Sequence, residues 1–190
     1  AVEKQNKNGR LKLKQNLAKG SFETLYILYG EEAYLREYYL RQLRKKVVDE
    51  TFADFNLIEL DGKTLTLESL TEAVDSYPAM SERKLVIVTD FNIYAPPASF
   101  GDQLIDLLSD LPDYVCLVFY FDILEAKPDK RTKMYKLLEK KACTAEFARL
   151  EEKELIERLE RRARELNCII SDEDAAYMLF LCGTSLINLM

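Results

Sequence analysis

The 190-residue chain contains no histidine. That absence excludes Ser-His and Cys-His nucleophilic pairs, imidazole acid–base catalysis and the commonest metal-ligating side chain. Cysteine is sparse: Cys116, Cys143, Cys168 and Cys182 are widely spaced, and no C-x-x-C pair occurs. The spacing argues against a zinc site or a dithiol redox motif and predicts four reduced, buried thiols. No apolar run reaches the roughly 18 residues that a membrane-spanning helix needs. The first ten residues, AVEKQNKNGR, lack the apolar centre of a secretory signal. The expectation is a cytoplasmic protein with no membrane association. Positive charge is in deficit too. The net charge of −6 and pI near 5.0 exclude a nucleic-acid binder that uses its whole surface, while leaving room for a local basic face.

What is present is the composition of a soluble globular protein, long enough for one domain or one plus a fragment. Residues 8–20 read as a short helix ending at Gly20, a C′ glycine. Compact apolar runs at 24–30, 84–90 and 114–122 read as buried strands, and the runs at 55–60 and 143–148 as shorter ones. Between them the spacing predicts helices. Residues 31–50 carry Leu35, Tyr39, Leu43 and Val47 four apart, with Glu31 and Glu32 in the first turn. Residues 66–77 carry Thr66 as cap and Leu67, Leu70, Val74 and Tyr77 as stripe. Residues 102–111 and 128–142 complete the set, with Pro128 in the first turn of the latter.

This alternation predicts an α/β fold, a five-stranded, mostly parallel sheet with helices on both faces. Strand signals stop after residue 149. Residues 151–167 and 171–183 then read as helices, the second capped by Ser171, and a third helix is starting where the sequence stops. The expected division is an α/β domain over 1–149 and a helical segment over 150–190. That segment is too short to bury its own core, which reads as a domain cut short.

Four stretches invite a functional reading. The first strand–turn–helix, YILYGEEAYLREYYL, sits where a phosphate-binding loop would lie. A working loop needs G-x-x-x-x-G-K-[ST], so that backbone amides and a lysine cradle phosphates. Here Gly30 is followed by two acids, then Leu35 and Arg36 where Gly-Lys would be needed. An ordinary turn is the expectation, with no cofactor and no catalytic residue. Asp90 and Asp122 follow strands, a position that can hold magnesium, but without a phosphate cradle they read as polar strand ends. Lys127, Lys130, Arg131, Lys133, Lys136, Lys140 and Lys141 form a basic stretch. It reads either as a solvated helix face, with Met134, Leu137 and Leu138 toward the sheet, or as a face for DNA or an acidic partner centred on Lys130, Arg131, Lys133 and Lys136. Last, YPAM at 77–80 joins a helix to a buried strand. Either Met80 fills the core edge, or the junction is a protruding apolar tip that enters a partner's pocket.

The blocks LYILYGEEAYLREYYLRQL, FNLIELDG, YPAMSERKLVIVTD, DKRTKMYKLLEKK and RARELNCIISDEDAAYMLFLCGTSL, taken in order from about Leu25, resemble the delta subunit of the bacterial DNA polymerase III clamp loader. The resemblance implies an AAA+-like fold with a degenerate phosphate loop, followed by a helical lid and then a C-terminal collar, absent here, that assembles the loader with delta-prime and tau/gamma subunits. It implies a non-catalytic accessory subunit of the replicative polymerase holoenzyme. That subunit binds the beta sliding clamp and helps open it for loading onto DNA during DNA replication at the bacterial nucleoid. DNA is met only within the assembled loader.

The resemblance assigns clamp binding to the apolar pair Ala79 and Met80, with Pro78 and Tyr77 beside them. The family commonly has larger residues than alanine at the first position, which shifts weight to Met80. Two other classes compete: a nucleotide-dependent P-loop-type enzyme using Asp90 or Asp122 for magnesium, and a DNA-binding accessory protein using the 127–141 basic face.

Overall fold

The computed structural model describes residues 2–189, with side chains from Gly9 onward. Helix α1 (Val2–Lys19) precedes strand β1 (Leu25–Tyr29). Then follow α2 (Ala33–Val47), a short α3 (Ala53–Asn56), β2 (Leu57–Asp61), α4 (Leu67–Asp75), β3 (Lys84–Thr89), α5 (Gln103–Ser109), β4 (Val115–Tyr120), α6 (Lys133–Lys141) and β5 (Cys143–Glu146). Helices α7 (Glu152–Glu165), α8 (Asp172–Cys182) and α9 (Leu186–Leu189) complete the chain.

The strands form one sheet in the order β2-β3-β4-β1-β5, and every pair is parallel. The expected α/β architecture is therefore present. Parallel pairing requires a crossover helix between strands and covers both faces, so central strands read as unbroken apolar runs. β1 and β4 are buried throughout. Alternation decides which face each residue serves. Tyr26, Leu28, Leu85, Ile87, Val118 and Ala145 pack under α1, α2 and α7–α9. Leu25, Ile27, Val86, Val88, Leu117 and Phe119 pack under α4, α5 and α6. At the β5 edge α1 lies so close that a Cβ on Gly9 would fall 1.7 Å from the Thr144 carbonyl oxygen. The other edge strand, β2, is short and carries Glu59 and Asp61, which discourages further pairing.

Several boundaries and assignments differ from the sequence expectation. β2 starts at Leu57, and Phe55 and Asn56 belong to the preceding helical turn. Helix α2 starts at Ala33. Glu31 lies outside it and pairs with Arg149 at 2.8 Å, and Glu32 occupies the N-cap without a side-chain cap bond. Helix α6 starts at Lys133. Thr132 caps it by accepting from the Tyr135 amide at 3.1 Å, while Asp129 turns the chain before it. Pro128 is consequently outside the helix. Gly20 ends α1 in the left-handed region, as expected, with φ 70°. Thr66 caps α4 in a reciprocal arrangement with Ser69.

The four cysteines are free, but only Cys116 and Cys143 are buried. Cys168 follows α7 and Cys182 ends α8, and both are exposed. Tyr177, Phe180 and Leu181 are exposed too, because α8 packs on α7 and α9 and buries only Ala175 and Leu179.

Phe119 sits at the centre of the sheet, fully buried. Phe119→Ala should cost about 3–5 kcal/mol of unfolding free energy in urea titration, as the transfer and cavity terms of a buried aromatic require.

Candidate functional site

Because all strands run one way, the sheet has two functional edges. At the edge where strands end, a parallel sheet of this class ordinarily offers its ligand crevice. Here the chain's own groups occupy it. Gly30 follows β1 with φ 125°, and a Cβ there would lie 2.4 Å from the Phe147 carbonyl oxygen, so only glycine fits. Arg36, buried on the first turns of α2, donates from Nη1 to the Gly30 carbonyl. Its Nη2 donates to the Asp122 carbonyl at 2.9 Å and reaches the Asp122 carboxylate at 3.3 Å. Its guanidinium lies over the Tyr120 ring, 5.4 Å from the centroid. Burial pushes the nearby Glu32 carboxyl above its ordinary range, with the Tyr34 amide and Arg158 opposing.

Asp90, in the left-handed region at φ 57°, accepts backbone N–H bonds at Oδ1 from Asp122, Ile123 and Leu124 at 2.8, 3.0 and 3.0 Å. Asp90 and Asp122 thus serve as polar strand ends, and the described residues contain no cluster of three or more potential metal-ligating side chains.

The opposite edge, where strands begin, carries the Tyr77–Met80 junction. Helix α4 ends at Asp75, and the chain turns through Ser76–Arg83 before β3. Pro78 cannot continue the helix. Met80 stands in the left-handed region at φ 51° and is 85% exposed, and Tyr77 is 81% exposed. The reading of Met80 as a core-edge filler is therefore overturned. Pro78 and Ala79 are half-buried at its base. Tyr77, expected on the α4 stripe, lies beyond the helix and packs tilted by 34° against Tyr114, with ring centroids 5.0 Å apart.

The seat of this tip is built from residues that immediately precede or open other strands. Asn56, just before β2, is fully buried and bonds to Ala79 and Ser81. Tyr114, just before β4, donates its hydroxyl to the Asp75 carbonyl at 3.0 Å. Arg83 donates to the Phe22 carbonyl, ahead of β1, at 2.8 Å. Lys84 opens β3 and is 1% exposed. Its ammonium donates to the Ser76 carbonyl and, at 2.9 Å, to the Ser76 hydroxyl, so it caps the C-terminal end of α4 where a cation is favoured. It also lies 5.6 Å from the Tyr114 ring centroid. Desolvation pushes its pKa down to about 8, with Asp75 pulling the other way.

Sequence reasoning found the tip but missed Asn56, Lys84, Arg36 and Tyr114. Two signals were there. A lysine opens an otherwise apolar strand, and the adjacent Leu57-Ile58 pair breaks the alternation of FNLIEL, which releases Asn56 from the strand.

The basic stretch divides as its apolar residues dictate. Met134 and Leu138 are buried and Leu137 half-buried against the sheet. Lys127, Lys130, Arg131, Lys133, Lys136, Lys140 and Lys141 are exposed. Arg131 is held in a bidentate pair with Asp129. These residues lie on another part of the chain from the tip and supply none of its seat.

Comparison with known proteins agrees with this fold. The family described as DNA polymerase III, delta subunit, matches residues 26–148. The Bacillus subtilis (strain 168) DNA polymerase III subunit delta is 29% identical over 172 residues, covering 88% of this chain and 49% of that protein. The solved structure of the Bacillus subtilis DNA clamp loader delta protein (YqeN) superposes with a TM-score of 0.77 at 26% identity, over 94% of this chain and 54% of that one. A variant of Thermotoga maritima RuvB, at 16% identity and a TM-score of 0.51, covers all of this chain and 60% of its own, and shares the fold alone. The chain spans about half the length of the relatives it matches.

Lys84 gives the seat a measurable signature. Below pH 8 its ammonium is charged in both folded and unfolded chains, and the desolvation penalty is fully present. Between about 8 and the ordinary value of 10.5 the folded chain has lost the proton that the unfolded chain retains, so this group's contribution to stability rises with pH. Chemical denaturation across pH 7–10 should therefore show wild type gaining stability relative to Lys84→Met. A pH-independent difference would contradict the assignment.

Proposed function

The chain belongs to the DNA polymerase III delta-subunit family, and from that premise we propose that it binds the beta sliding clamp through the Tyr77–Met80 tip and helps open the ring for loading onto DNA. One observation carries the reading: Met80 projects from a held, left-handed turn at the strand-start edge, where it is 85% exposed to solvent. A flexible, polarizable thioether suits insertion into an apolar pocket. Fully burying it is worth ~1.5–3 kcal/mol, and a few such anchors dominate most interfaces. Tyr77 and Pro78 supply the rim, and the small Ala79 contributes mainly through its backbone. Opening is a population shift: a subunit that binds the open interface better than the closed one moves the ring toward the open state.

The role is non-catalytic. Arg36 fills the place of a phosphate-binding loop, and the Asp90 carboxylate is engaged by three backbone amides. Both observations weigh against the P-loop-enzyme reading. Residues 150–190 are read as helical lid, and the family's assembly with delta-prime and tau/gamma subunits is read for the whole protein. The exposed Lys130, Arg131, Lys133 and Lys136 remain available to DNA within an assembled loader. Among the described residues no helix is long and apolar enough to cross a membrane.

Titration calorimetry with a bacterial beta clamp tests the tip. Met80→Asp should weaken binding at least tenfold, about 1.4 kcal/mol, with an unchanged thermal midpoint. Unchanged affinity would overturn the assignment.

A further inference from the structure

A fully buried asparagine side chain is costly unless its amide is satisfied, and an apolar residue would serve the core at this position better. What Asn56 satisfies is the tip. Its Oδ1 accepts from the Ala79 amide at 2.7 Å. Its Nδ2 donates to the Ala79 carbonyl at 2.8 Å and to the Ser81 hydroxyl at 3.1 Å. Contact at both the N–H and the C=O of one residue fixes the peptide groups on either side of Ala79. The next residue, Met80, is thereby delivered into the left-handed region at φ 51°, which an unbranched L-residue enters only when its surroundings impose it. Between α4 and β3 no regular element holds residues 76–83, so this side-chain pairing stands in for a backbone ladder.

Resting on the clamp-binding reading above, we infer that Asn56 is a positioning residue: it pre-organises the tip so that the partner does not have to order it on binding. Asn56 touches no partner itself. Its influence passes through Ala79 to the direction in which the Met80 side chain leaves the surface. Rigid presentation of an anchor raises affinity by reducing the ordering cost of association. The small side chain at Ala79 fits this role, because that residue is gripped by its backbone and its Cβ is not asked to make the contact.

A double-mutant cycle tests the inference. Clamp affinity is measured for wild type, Asn56→Ala, Met80→Ala and the double variant, with folding of each checked by circular dichroism melting. Asn56→Ala should weaken binding at least fivefold when Met80 is present and less than twofold when residue 80 is alanine. Asn56→Asp, which keeps the acceptor but sets a buried carboxylate oxygen against the Ala79 carbonyl in place of the donor, should weaken binding at least as much as Asn56→Ala. If Met80→Ala leaves affinity unchanged, the tip reading itself fails. If Met80→Ala weakens binding while folded Asn56→Ala binds like wild type, or weakens equally in both backgrounds, the positioning role is overturned. Hydrogen exchange on the wild-type chain provides a readout independent of any variant's folding. The Ala79 amide should exchange as slowly as the last hydrogen-bonded amides of α4, and free exchange there would overturn the inference.

Discussion

Parallel pairing of five strands is the constraint from which the other features of this molecule follow. It forces every strand to begin on one edge and end on the other, and it forces a crossover helix between each strand and the next. Both faces are then covered, and the alternating side chains of β1, β3 and β4 divide between two apolar clusters, with only Lys84 and Thr89 at the two ends of β3 outside them. Function is displaced from the faces to the edges. The two edges differ because the residues flanking the strands differ.

The strand-end edge is closed by the chain's own polar groups. Arg36 spans from the Gly30 carbonyl to Asp122, and Asp90 gathers the amides that follow β4. The Arg36 Nη groups and the Asp90 carboxylate are engaged with the chain's own backbone. The strand-start edge has the opposite character. There Asn56 and Lys84 direct hydrogen bonds into one irregular junction, Tyr114 donates to the Asp75 carbonyl at its start, and Arg83 ties its far end to the Phe22 carbonyl. Buried polar side chains are rare, and two of the four among the described residues, Asn56 and Lys84, are engaged with that junction.

Much of the architecture was legible in the sequence because its signals are local. Apolar runs mark the buried strands, Thr66 and Ser171 mark helix starts, and Gly20 marks a helix end. The errors arise where distant partners compete with local pattern. FNLIEL reads as a strand from Phe55, yet Asn56 is taken by Ala79, 23 positions away. Pro128 looks like a helix start, yet Thr132 makes the better cap. Cys168 and Cys182 look like core residues, yet they stand exposed just after α7 and at the last position of α8. The tip itself was visible as a helix breaker followed by small apolar residues. Whether Met80 points inward or outward was not, because that choice is made by Asn56 and by the left-handed turn that it sustains.

The mass of the species formed when this chain meets a beta clamp tests the central claim most directly. Size-exclusion chromatography with in-line light scattering separates the possible complexes. A tip that binds the clamp and shifts its interface toward the open state predicts a one-to-one complex of this chain with a clamp protomer, replacing the dimeric ring. A clamp that stays dimeric, with this chain eluting alone, would contradict it.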